Sequence, residues 1–147
     1  MLAVFISPGT ASATTTVANC NGKTLVSTNY VKIDDSDANA GAIQLCRDGS
    51  NWFGMYISYG AMPANHAGQA FIYRNYDGNI VDHFDCDSAG GNGYVKAGQT
   101  WCKTPNITGP NSRYTFQATG SYNVLQSGQW VLAGGGWTKR CNQTSCV

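Results

Sequence analysis

Residues 113–119 alternate without a fault. Tyr114, Phe116 and Ala118 face one way, and Arg113, Thr115, Gln117 and Thr119 the other. That period of two marks a strand with one wet face. The same reading predicts strands over 23–33, 42–47, 51–59, 69–76 and 79–85, over parts of 94–102, and over 129–133 and 136–140. Turn residues punctuate them. Asp48-Gly49-Ser50 and Asp77-Gly78 each sit between two such runs and predict hairpins. In the run 51–59 both faces are apolar: Phe53, Met55, Ile57 and Tyr59 on one, Trp52, Gly54, Tyr56 and Ser58 on the other. A central strand packed on both sides is expected there. Residues 34–41, 60–68, 88–93 and 105–111 read as loops, and Gly134–Gly136 as a break between the last two strands. No stretch sustains a period of 3.6. The expectation is an all-β, single-domain antiparallel sandwich or barrel of seven to nine short strands, spanning residues 14–147.

Composition sharpens this picture. All eight acidic residues of the 147-residue chain are aspartates, which favour turns over helix interiors. Charged residues make up 12%, about half the usual share, and the net charge is +1. Neither the net charge nor any basic run offers a field for nucleic acid. The first residues, an apolar run, Pro8-Gly9 and then Ala11-Ser12-Ala13, read as the remnant of a secretory signal peptide over 1–13. A mature chain from Thr14 is expected, with the basic start of the leader lying further upstream. No segment approaches the roughly 20 apolar residues a membrane helix needs. Secretion agrees with six cysteines, an even set: Cys20, Cys46, Cys86, Cys102, Cys141 and Cys146. Nearest neighbours along the chain fit successive hairpins, so Cys20–Cys46, Cys86–Cys102 and Cys141–Cys146 are the expected disulfides. Zinc would need tight Cys/His clusters, and neither His66 nor His83 sits at such spacing.

Candidate chemistry is sparse. There is no G-x-S-x-G elbow, and pairing all cysteines leaves no thiol nucleophile. Strand geometry puts His83, Asp85 and Asp87 on one face, where a carboxylate could orient the imidazole for hydrolysis. The ordinary reading is solvated polar groups beside a disulfide. Asp35, Asp37 and Asn39 have the spacing that opens a calcium loop, but Ala40 and Cys46 stand where such a loop needs glycine and glutamate. Turn chemistry explains them without a metal, and no cofactor is expected.

Aromatic residues carry more information. Four tryptophans and eight tyrosines in so small a chain imply that some rings are wet, as at sugar-stacking platforms and protein interfaces. Trp52 with Tyr56, and Tyr73 with Tyr76 near Arg74, are the candidate binding residues. The leader motif Ala11-Ser12-Ala13, the segment from Gly41 to Tyr59 (GAIQLCRDGSNWFGMYISY) and the cysteine spacing resemble small secreted β-proteins of streptomycetes and related actinobacteria. Among those are peptidase inhibitors, killer-toxin-like domains and accessory subunits of secreted toxin particles. The resemblance covers about a third of the chain and implies binding rather than catalysis. The cysteines and glycines do not repeat in two halves, unlike the crystallin-like inhibitors, so no functional residue is carried over. The expectation is a secreted, non-catalytic module engaging an extracellular protein partner. Its alternatives are a carbohydrate or cell-wall binder, a protease inhibitor presenting the loop 60–68, and a small hydrolase using His83 and Asp85.

Overall fold

A computed structural model describes residues 17–147; the proposed leader and the start at Thr14 lie outside them. Nine antiparallel strands follow a 3-10 turn at Asn19–Gly22. They are β1 (Thr24–Ile33), β2 (Asn39–Asp48), β3 (Asn51–Ser58), β4 (His66–Tyr76), β5 (Asn79–Asp85), β6 (Trp101–Lys103), β7 (Ile107–Thr108), β8 (Tyr114–Gln126) and β9 (Gln129–Trp137). They form one sheet in the order β5-β4-β8-β9-β1-β2-β3-β6, with β7 also paired to β3. The all-β class and the disulfide pairing are as the alternation and spacing predicted.

The sheet curls on itself. Strands β9 and β1 pair only through Lys32–Gly135 and Ile33–Gly134, and this short seam turns β5-β4-β8-β9 to face β1-β2-β3-β6. The core lies between the two halves. Val31, Ile43, Leu45, Trp52 and Tyr56 come from one, and Ala70, Ile72, Phe116 and Ala118 from the other. A smaller apolar cluster of Cys20, Cys46, Phe53 and Met55 covers the back of β2 and β3. The Cys20–Cys46 bridge draws the N-terminal turn over that face, where the Cys20 amide donates to Gln44 Oε1 at 2.8 Å and Gln44 Nε2 to Asn19 Oδ1 at 2.8 Å. Strand β3 is thus packed on both sides, as its two apolar faces required.

Several boundaries depart from the alternation. Residues 134–136 do not break the last strand: β9 runs straight through them, because they are where β1 crosses closest. A Cβ on Gly136 would stand 2.0 Å from the Tyr30 carbonyl oxygen, and one on Gly134 2.2 Å from that of Lys32. Strand β8 extends seven residues past Thr119, carried by pairing to β4 and β9 on either side. Conversely, 94–100 forms no strand. Only Val95 bridges to Gly68, and a turn closes from Lys96 to Gln99. Residues 107–108, expected in a loop, pair with Trp52 and Asn51.

Residues 138–147 form a short hooked segment held by the Cys141–Cys146 bridge. The Arg140 and Val147 backbones bond to each other there at 2.8 and 3.2 Å, and Cys141 bridges to Phe116. Replacing both Cys141 and Cys146 by serine is expected to cost about 2 kcal/mol, the loop-closure value for so short a ring. Urea denaturation checks this; an unchanged midpoint would show that the bridge does not restrain the segment.

Candidate binding groove

Inward and outward positions separate cleanly in the half-sheet β5-β4-β8-β9. On β8, Phe116, Ala118 and Gly120 are buried, while Gln117, Thr119 and Ser121 alternate outward. Pairing carries the outward rows across: Trp137 opposite Thr119 opposite Phe71, and Gln117 opposite Tyr73 opposite His83. The resulting outer face carries aromatic rings, amides and hydroxyls, with His83 and Asp85 on its β5 edge.

Trp137 is the most exposed tryptophan, at 64%. It closes β9 directly after the three glycines, so its near neighbours on the strand have no side chain to cover it. A cleft of about 580 Å³ opens beside it, lined by Ser27, Asn29, Gln117, Lys139 and Arg140 among others. This wall is stitched to the sheet from both sides. Asn29 Nδ2 donates to the Trp137 carbonyl at 2.9 Å, and the Lys139 amide to Ser27 Oγ at 3.1 Å. Gln117 Nε2 donates to the Thr138 carbonyl at 2.8 Å, and the Ala118 amide to Thr138 Oγ1 at 3.0 Å. The ring is therefore displayed on rigid backbone.

Two further depressions adjoin this cleft. One, about 320 Å³, lies over Tyr73, Asn75, Ile80 and Thr119 and shares Gln117 and Arg140 with it. The other, about 360 Å³, lies over Tyr30, Tyr59, Ile57 and Leu25 on the back of β1–β3 and shares Thr28 and Asn29 with it. Tyr30 and Tyr59 are 57% and 58% exposed. Partial burial, and then the neighbouring Tyr30 phenol, raise the Tyr59 pKa above the ordinary tyrosine value.

The residues singled out from sequence fare unequally. Trp52 and Tyr56 are fully buried and cannot meet a ligand; this corrects their assignment as binding residues. Trp52 stacks on Phe116 with centroids 4.6 Å apart. The Tyr56 ring lies where a Cβ on Gly68 would stand 2.7 Å from it, and burial raises its pKa strongly. Between them Gly54 lies against Ala118 and the Phe71 carbonyl of the opposite half-sheet. Tyr73 does lie on the outer face, with His83 stacked over it at 5.9 Å. Arg74 and Tyr76 point to the other side of β4. Arg74 pairs with Asp82 and donates to the Thr108 carbonyl at 3.0 Å, while Tyr76 packs on Tyr114 beneath Arg113. They are structural partners, apart from Tyr73. Trp137, Tyr30 and Tyr59 were missed, because nothing local to them announces which side of a strand the sheet will cover.

The acidic residues of both polar constellations from the sequence lie at or beside turns. Asp85 Oδ1 accepts from the Asp87 amide at 2.9 Å and from Ser88 Oγ at 3.3 Å, capping the turn that leaves β5. Asp87 accepts from the Tyr94 amide and from Gln69 Nε2, both at 3.0 Å. Asp35 and Asp37 lie exposed in the β1–β2 turn, whereas Asn39 already belongs to β2. Among the described residues no three His, Cys, Asp or Glu side chains converge on a point that could hold a metal. The loop 60–68 is tied down, with Met62 buried and bonded through its backbone to Gln99 and Gly98.

Comparison with known proteins adds little. No family model matches the chain, and no solved structure does. An uncharacterized protein of Bacillus subtilis, YjfA, is 36% identical over 75 residues, covering 50% of this chain and 44% of that protein. The chain thus matches less than half the length of that relative, to which it is similar over this segment alone.

Proposed function

We propose that the chain is a secreted, non-catalytic carbohydrate-binding module whose ligand lies along the outer groove at Trp137. The observation that carries this reading is the exposed, rigidly mounted Trp137 ring beside amides and hydroxyls, with Lys139 and Arg140 in the same cleft. A sugar ring presents an apolar C–H face and a rim of hydroxyls. The indole covers the first, so that apolar area leaves water. Gln117 Oε1, the second Nδ2 hydrogen of Asn29 and the Ser27 hydroxyl, left over from the bonds that fix these side chains, exchange water for the second, at small net gain per bond but with directional selectivity. Three disulfides support export to an oxidising compartment. The non-catalytic part rests on Asp85 and Asp87, whose oxygens accept from the Asp87 and Tyr94 amides, Ser88 Oγ and Gln69 Nε2.

Trp137→Ala is expected to weaken retention on insoluble polysaccharide by about 2 kcal/mol, roughly thirtyfold, while shifting stability by under about 0.5 kcal/mol. Depletion from solution by chitin, cellulose and peptidoglycan, with a melting curve for each variant, measures both. Unchanged retention in the variant would sink the groove as the site.

A second reading, an adaptor for an extracellular protein as in a secreted toxin assembly, draws on a different surface. Trp130, Val131 and Leu132 stand 49%, 41% and 65% exposed near the β8–β9 hairpin, and Tyr94 meets the Trp130 ring edge-on. Consecutive wet apolar side chains of this size suit a protein interface. Pull-down from culture supernatant should then recover a stoichiometric protein that a Trp130→Ser, Leu132→Ser variant fails to hold. A wild-type chain that elutes alone would remove this reading.

A further inference from the structure

We infer that the groove takes an extended, anionic polysaccharide chain, read by Lys139 and Arg140 at its centre; this rests on the carbohydrate reading above. Two independent features support it.

The first is continuity. The three depressions share linings pairwise, through Gln117 and Arg140 and through Thr28 and Asn29. At about 320, 580 and 360 Å³, each is already of the size that holds a small molecule by itself. Each also carries aromatic surface: Tyr73 in the first, Trp137 in the second, Tyr30 and Tyr59 in the third. A single sugar would occupy one of them. A linear chain passes from one to the next, around the seam where β9 meets β1, with a ring to stack on at every stage.

The second is charge. The groove's lining contains Lys139 and Arg140 and no acidic side chain. The three ion pairs among the described residues, Lys23–Asp48, Arg74–Asp82 and Arg113–Asp77, lie elsewhere and use neither cation. In a chain whose net charge is +1, two adjacent cations flanking the cleft at Trp137, neither in an ion pair, are a local excess. A neutral glycan laid over them would strip water from both without compensation, whereas carboxylate or phosphate groups on the chain would pair with them. Arg140 lies between two depressions, where it can bridge an anionic group to the sugar stacked next to it.

The test is isothermal titration with three series running from dimers to octamers: oligogalacturonides for carboxylate, glycerol-phosphate oligomers for phosphate, and uncharged cello-oligosaccharides. The expected result is tighter binding of one anionic series, with affinity rising with length beyond the dimer. Whichever anion binds identifies the source. The Lys139→Gln, Arg140→Gln variant should lose about tenfold toward that series at low salt and nothing toward the uncharged one, and high salt should erase the difference. Lys139→Arg with Arg140→Lys, which keeps both charges, should retain the preference. Tyr30→Ala with Tyr59→Ala should weaken the longer oligomers and leave the dimers unchanged. Equal binding of charged and uncharged series, or affinity flat with length, overturns this inference and leaves the carbohydrate reading standing. No binding by any series, together with no retention on the insoluble polysaccharides, overturns both.

Discussion

Trp52→Ala is expected to destabilise the fold by about 4 kcal/mol, at the upper end for loss of a buried aromatic ring. The indole is fully buried and stacks nearly parallel on Phe116, at 9° between planes, so it joins the two half-sheets across the core. Arg47 lies over the ring with the guanidinium carbon 5.5 Å from the centroid. Truncation leaves a cavity walled by two sheets that are cross-linked and unable to collapse into it. Trp52→Phe should recover more than half of the loss, because it keeps a ring against Phe116. Urea unfolding followed by far-UV circular dichroism measures both. The contrast with Trp137→Ala is the informative part: one tryptophan should govern stability, the other ligand retention. A Trp52→Ala protein of wild-type stability would show that the half-sheets do not meet at this ring.

Gly136→Ala is expected to cost about 3 kcal/mol, in the range for forcing atoms into a packed site that cannot open. The added Cβ would meet a backbone oxygen at 2.0 Å, and the next nearest atoms are the carbonyl carbon and Cα of that stretch of β1. None is the tip of a movable side chain, so relief requires β1 and β9 to separate. Their ladder is short, two residue pairs, and the Asn29 side chain adds one hydrogen bond to the Trp137 carbonyl across it. The neighbouring Gly135→Ala is the control: its Cβ would meet only the Gly120 carbonyl oxygen, at 3.3 Å, so it should cost under about 1 kcal/mol. Because Asn29 holds the Trp137 carbonyl across this seam, Gly136→Ala should also weaken polysaccharide retention in the fraction that remains folded. Equal denaturation midpoints for the two alanine variants would show that the seam is looser than its geometry implies.

Much of the architecture was legible from side chains alone. Asp77-Gly78 does turn β4 into β5, with Asp77 and Gly78 both at positive φ, and Arg113 holds the Asp77 carboxyl below the usual aspartate range by hydrogen bonding and then by charge. The two apolar faces of β3 meant two packed sides, and each side has its cluster. The errors share one origin. Gly134–Gly136 read as a break, because local propensity penalises glycine within a strand; the demand for space came from β1, about a hundred residues away in sequence. Trp52 and Tyr56 read as binding residues because so many rings in a small chain imply that some are wet; β8 and β4 cover these two.

Alternation, turn chemistry and cysteine parity therefore decided that this chain is an all-β, cross-linked domain and where most strands begin. They act through neighbours within a few residues, and a strand's period of two is visible at that range. Which of its two faces meets water is not a local property, since either side of a β-strand can be covered by whatever the curl of the sheet brings to it. Only the tertiary fold buried Trp52, exposed Trp137, and joined Tyr73, Trp137 and Tyr30 from three strands into one groove.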